Sequence, residues 1–256
     1  ADLDGLRSSL LPNLLLAARR NARRNVTGNG LFEIGPVFHG GQPGEQQLVA
    51  AGVLWGQTPV HWREKPRNVD VFDAKRLAQQ VLQHHGVAAD SLPTGAPAAR
   101  WYHPGQSGTH ALGQAPLLAC FGALHPKILQ QLDMPVPVVA FEVFLDAIPP
   151  ARNKSKAPLA LPVYPPVERD FAFFMPENLP ASRLLKAVSM VNRNLIKDVQ
   201  IFDLYNGKGI PEGQYSMALR VRLEPAEKTL DEAALQQLQQ DVKTASLKIG
   251  AVLREA

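Results

Sequence analysis

Tyr215-Ser216-Met217-Ala218-Leu219-Arg220-Val221-Arg222-Leu223 alternates without a break. Met217, Leu219, Val221 and Leu223 point one way, and Ser216, Ala218, Arg220 and Arg222 point the other. A strand of this kind covers a core with one face and leaves its second face open. Working outward, Arg169–Met175 and Val199–Tyr205 read as two more strands, and Ala181–Val191 as a helix just after Pro180. A long helix is expected from about Asp231 to Ile249, followed by a short strand at Ala251–Leu253. Thr229 and Glu232 have the spacing of a capping box at its start. Leu235, Leu238, Val242, Ala245 and Ile249 step by three and four, giving one buried stripe. The order βαββαβ is that of the ferredoxin-like motif, four antiparallel strands with both helices on one face.

The face left open is the candidate site. If Phe171 and Phe173 turn to the core, then Asp170, Ala172 and Phe174 share the open side with Ser216, Arg220 and Arg222. The Arg169–Met175 strand is apolar on both sides and Val199–Tyr205 is ambiguous too, but Asp203 and Tyr205 are expected outward near the end of the latter. Aromatic faces stack splayed bases at roughly 1–3 kcal/mol each, while hydroxyl and guanidinium groups read base edges or hold phosphate. From the residues alone the alternatives are a merely solvated face, or Phe174 packed on another domain. Gly207-Lys208-Gly209-Ile210-Pro211-Glu212-Gly213 fits neither G-x-G-x-x-G nor G-x-x-x-x-G-K-[ST], and a strand follows it. It reads as a hairpin loop with Lys208 able to reach a phosphate.

Upstream, Pro12 opens a helix with Leu11, Leu14, Leu15, Ala18 and Ala22 on one side and arginines on the other. Leu31–Phe38 and Leu48–Trp55 form a hairpin-like pair, a helix follows near Val71–His84 with Leu77, Val81 and Leu82 as its apolar positions, and strands return at Ser107–Leu112, Leu117–Leu124 and Val138–Leu145. This is an α+β domain on an antiparallel sheet. Ala147–Pro166 is rich in proline and basic residues and reads as a linker. The expected domains are therefore 1–146 and 163–256, joined by 147–162.

The net charge of +4 is uneven: residues 1–160 hold 15 Lys+Arg against 11 Asp+Glu, and residues 161–256 hold 12 of each. Nucleic-acid binding in the second half must then come from a local patch. Arg19, Arg20, Arg23 and Arg24 form a basic cluster that reads as a solvated helix face or a phosphate contact. No run of about 18 apolar residues or signal-peptide layout is present, and no membrane partner is expected. The single Cys120 lies in an apolar stretch and reads as a packed thiol, which fits a cytoplasmic setting.

YPPVERDFAFF, then DVQIFDLYNGKGIPEGQYSMALRVRL, then TLDEA at a helix start resemble the ferredoxin-fold anticodon-binding domain that closes the beta chain of bacterial phenylalanyl-tRNA synthetases. LRSSLLPNLLLAARRN, LFEIGPVF, FDAK, WYHPGQSG, FGALHPKIL and VVAFEVFLD resemble, in order, the preceding domain of that chain. The resemblance implies a class II synthetase-like fold that has lost its activity, with catalysis on the alpha subunit. It also implies a C-terminal part of a longer chain, without its editing and N-terminal domains and unable to aminoacylate alone. The implied partners are tRNA-Phe and the alpha subunit, in a heterotetramer of two alpha and two beta chains. ATP and Mg2+ would serve the holoenzyme, and no cofactor or metal is expected in this fragment. By matching strand and spacing, the resemblance assigns anticodon contacts to Ala172, Tyr205 and Ser216; Asp170, Phe174, Lys208, Arg220 and Arg222 rest on face geometry alone.

Two rival readings can be tested on the residues. An active class II motif resembles F-E-I-G-x-x-F-R-x-E; Phe32–Gly35 and Phe38 match, but His39 stands where the arginine belongs and Gly41 where the glutamate belongs. A neutral imidazole cannot form a bidentate phosphate clamp, so no catalytic residue is assigned. A metallohydrolase would draw on His39, His61, His84, His85, His103, His110 and His125, yet no H-E-x-x-H or similar spacing occurs. His84 and His85, adjacent on a helix, are expected to point apart. A purely structural first domain is compatible with RNA binding by the second.

Overall fold

The computed structural model describes residues 5–24, 26, 30–95, 98–113, 116–134, 137–150, 164–225 and 229–254. The chain divides into two compact units, Ala1–Ser155 and Lys156–Ala256. Most of the expected linker, from residue 151 onward, lies outside the described residues. Its first residues, Ala147 and Ile148, pack against the core of the first unit.

The first unit begins with α1 (Leu11–Arg23), whose Leu11, Leu14, Leu15 and Ala18 are buried as the sequence spacing requires. β1 (Gly30–Phe38) and β2 (Gln46–Trp55) form the hairpin. α2 (Val71–His84), β3 (Tyr102–Ala111), β4 (Leu117–Leu124), the short α3 (Pro126–Gln131) and β5 (Val138–Phe144) complete it. The five strands make one antiparallel sheet in the order β1-β2-β5-β4-β3. One core gathers α1 against Val53, Cys120 and Ala140, and another gathers α2 against Leu118, Phe121 and Val143.

Several local details depart from the sequence expectation. The buried face of α2 is Asp73, Ala74, Ala78 and Leu82, with Leu77 and Val81 only half-buried beside it. Asp73 is kept there by two 2.7 Å bonds from Arg67 and by a capping box with Asp70, and Arg67 holds its carboxyl below the usual range. His84 and His85 do not point apart; their rings meet edge-on with centroids 5.8 Å apart. β3 starts at Tyr102 rather than Ser107: Tyr102 pairs with Leu124, and the register shifts before Ser107 pairs with Gly122. α3 is too short to show a period; Pro126 opens it and the His125 ring accepts from Lys127 N.

The second unit contains β6 (Val167–Pro176), α4 (Ala181–Ser189), β7 (Ile196–Tyr205), β8 (Gln214–Leu223), α5 (Glu232–Leu247) and β9 (Val252–Leu253). Its sheet runs β7-β8-β6-β9 with antiparallel neighbours, the arrangement expected of a ferredoxin-like βαββαβ fold. Phe171, Phe173, Met217, Leu219 and Val221 form one core with Leu184 and Val188 of α4 and Leu238 and Val242 of α5. The start of α5 is capped by Asp231, whose carboxylate accepts from Ala234 N at 2.9 Å, and not by the Thr229–Glu232 pair. The helix is also rotated from the expected stripe: Ser246 is fully buried while Leu235 and Ile249 are only partly so.

Candidate nucleic-acid interface

Three strands bring the open face together. Register pairs Tyr205 with Ser216, and Ser216 with Phe174, so these side chains form one row across β7, β8 and β6. Two strand spacings separate the outer rings, about 10 Å. The next row is Asp203, Ala218 and Ala172, and the one beyond places Gln200, Arg220 and Asp170 together. Ala172 and Ala218 give a low floor beside the aromatic row, where a planar group can approach the backbone.

Each end of the first row has its own support. Tyr205 is half exposed and leans on Gly207, where any Cβ would collide with its phenol. Its hydroxyl reaches Lys208 O at 3.5 Å, which ties the strand end to the hairpin loop. The Lys208 side chain projects from that loop into solvent. Gly209 and Gly213 take φ of +88° and +72°, conformations that glycine adopts without a steric cost. At the other end, Arg254 extends from β9, its N–H bonding Ala172 O at 2.8 Å. Its guanidinium lies 5.2 Å from the Phe174 ring centroid and donates to Ser216 Oγ at 3.1 Å.

These contacts alter the sequence picture in two respects. Ser216 faces the open side but is only 5% exposed, since Arg254 covers it. The expected basic patch is largely neutralised. Arg220 donates from Nε and Nη2 to the two carboxylate oxygens of Asp170, at 2.9 and 2.8 Å, with Glu168 at 3.7 Å. That guanidinium holds the Asp170 carboxyl below its usual range. Arg222 pairs with Glu224 at 3.0 Å. The residues missed by sequence reasoning are Arg254, which lies past the last strand, and Phe202. A groove of about 440 Å³ follows the outer edge of β6, lined in part by Asp170, Ala172, Leu235, Gln239 and Arg254.

In the first unit the motif positions carry no clamp. His39 is exposed and contacts Gln47 Oε1 at 3.3 Å, and Glu33 is bound by Arg7. Among the described residues no three His, Cys, Asp or Glu side chains gather as a metal site. The buried Glu142 instead accepts from Ser9 Oγ at 2.7 Å and from Trp101 Nε1 and Tyr102 Oη at 3.3 Å. Burial raises its carboxyl above the usual range, and burial with Glu142 nearby pushes the Cys120 thiol up to about 12.

Residues 1–145 match the family described as phenylalanyl tRNA synthetase beta chain CLM domain, and residues 162–254 match the ferredoxin-fold anticodon binding domain. The chain belongs to the phenylalanyl-tRNA synthetase beta chain family. It is 41% identical over 259 residues to the phenylalanine–tRNA ligase beta subunit of Rhodospirillum rubrum, covering 99% of this chain and 32% of that one. The corresponding Brucella abortus subunit is 39% identical over 263 residues, with 99% and 33% covered. The chain thus spans about a third of the length of the curated relatives it matches. A solved pyrrolysyl-tRNA synthetase from Desulfitobacterium hafniense aligns with 21% identity and a TM-score of 0.43, over 57% of this chain and 50% of that one.

Proposed function

We propose that the second unit of this beta-chain homologue reads the anticodon loop of tRNA-Phe for a phenylalanine–tRNA ligase, and that the first unit is a non-catalytic scaffold. The observation that carries this reading is the row Tyr205–Ser216–Phe174, with Arg254 over its centre and Ala172 and Ala218 beside it. Tyr205 stacks a splayed base, the alanines let it approach, and Ser216 and Arg254 hydrogen-bond its edge or the adjoining phosphate. Asp170, Arg220 and Arg222 border this pocket with their charges already paired, while Phe174 backs Arg254 and Lys208 reaches the RNA backbone from the loop. Its relatives are phenylalanine–tRNA ligase beta subunits, which supports the same assignment.

In the assembled ligase, ATP and Mg2+ act at a catalytic site on the alpha subunit, in a cytoplasmic heterotetramer of two alpha and two beta chains. Support for a docked partner comes from the first unit: Phe32 and Ile34 on β1 and Phe72 at the start of α2 are all exposed. Phe32 and Ile34 stand two residues apart on one face of the strand and so form an adjacent apolar pair of the kind a partner covers. Among the described residues no helix is long and apolar enough to cross a membrane. The test is nuclease and chemical probing of tRNA-Phe with this chain added. Protection confined to the anticodon loop, lost with Tyr205→Ala, is the expected result; unchanged loop reactivity would refute the assignment.

A further inference from the structure

β7 pairs with β8 with two interruptions, between Ile196 and Asp198 and between Ile201 and Asp203, and at each two steps on β7 match one on β8; the second lies beside the aromatic row. A bulge of this kind turns the extra residue onto the same side as its neighbour. Phe202 is that residue, and its ring comes to the open face, where the Arg220 guanidinium carbon lies 5.0 Å from its centroid. Half of Phe202 remains exposed. Arg220 is not loose: Asp170 accepts from its Nε and Nη2 and fixes its plane. The result is a pre-oriented pair, a ring on the edge strand β7 with a guanidinium from β8 over it, three residues from Tyr205. The separation is about 10 Å along the strand.

An exposed phenylalanine wedged under an ion-paired arginine costs solvation without closing a core, so its place on this face calls for a ligand with a π surface. We infer that Phe202 and Arg220 form a second stacking position for single-stranded RNA, holding the nucleotide next to the base on Tyr205. This inference rests on the anticodon-loop reading. Asp170 then acts as a positioning residue: it orients Arg220 and leaves Nη1, which makes no bond among the described residues, to donate to the base or its phosphate.

The test uses this chain and tRNA-Phe anticodon stem-loops carrying 2-aminopurine at each loop position in turn. Two positions are expected to lose fluorescence on binding. Phe202→Ala should abolish the response at one of them and weaken affinity about tenfold, while Phe202→Tyr restores both. Tyr205→Ala should abolish the other response and spare the first, which also shows that each variant is folded. A Tyr205-dependent response that persists while Phe202→Ala changes neither fluorescence nor affinity overturns the second position alone. No binding by any loop would overturn the underlying reading with it.

Discussion

Arg254 donates a 3.1 Å hydrogen bond to Ser216 Oγ, joining the last described residue of the chain to the middle of the open sheet. Any ligand on this face would therefore meet Ser216 together with Arg254 rather than alone. Arg254 also covers Phe174, so one side chain links an aromatic, a hydroxyl and the groove beside β6.

Arg254→Ala is expected to weaken anticodon stem-loop binding and to lower the slope of log affinity against log salt by about one, as for loss of a single phosphate contact. Arg254→Lys should keep the salt slope and lose part of the affinity, because an ammonium cannot stack flat on Phe174. Filter binding at several salt concentrations checks both; an unchanged slope in the alanine variant would mean that Arg254 touches no phosphate.

Glu142 gives a pH-dependent expectation for the first unit. Its carboxyl is raised in the folded state by burial, so the fold binds its proton more tightly than the unfolded chain does. The sign follows: this group favours folding below the unfolded carboxylate range, near pH 4.3, and the benefit is lost as pH rises through the folded value. Glu142→Gln should thus be close to neutral at pH 7 and lose ground relative to the parent on acidification. Glu142→Ala leaves Ser9, Trp101 and Tyr102 without their acceptor and should cost about 3 kcal/mol. Denaturant titrations of the variants across pH 4 to 8 decide it.

The cap on α5 distinguishes two neighbouring residues. Asp231→Ala should destabilise the second unit by about 1 kcal/mol, since it removes the acceptor of Ala234 N. Thr229→Ala should have little effect. Equal losses in thermal melts would contradict the observed cap.

Phe173 is fully buried between β6 and the two helices. Phe173→Ala is expected to cost 3–5 kcal/mol, with the range typical of a buried aromatic truncation. A loss below about 1 kcal/mol in chemical denaturation would show that this core is not closed around it.

What the sequence revealed depended on how regular each element is. The alternation of Met217 to Leu223 put Ser216, Ala218, Arg220 and Arg222 on one face, and the structure places them there. β7 resisted the same treatment because its bulge breaks the period at Phe202, so an aromatic that alternation assigns to the core emerges on the open face. The Asp170–Arg220 pair is a matter of register between strands fifty residues apart, which no local pattern encodes. Arg254 was hidden for a similar reason: only the pairing of β9 with β6 carries it to Ser216. In α2, alanines at 74 and 78 line the buried face, where weak hydrophobicity made Leu77 and Val81 look more central.

The open sheet is proposed to read one particular RNA loop. The most direct measurement compares the affinity of this chain for the tRNA-Phe anticodon stem-loop and for a stem-loop with the same stem and a scrambled loop, at one stated salt concentration. The native loop is expected to bind more tightly, with the preference removed by Tyr205→Ala at a cost of roughly 1–3 kcal/mol. Equal affinity for both loops, unaffected by the substitution, would contradict it.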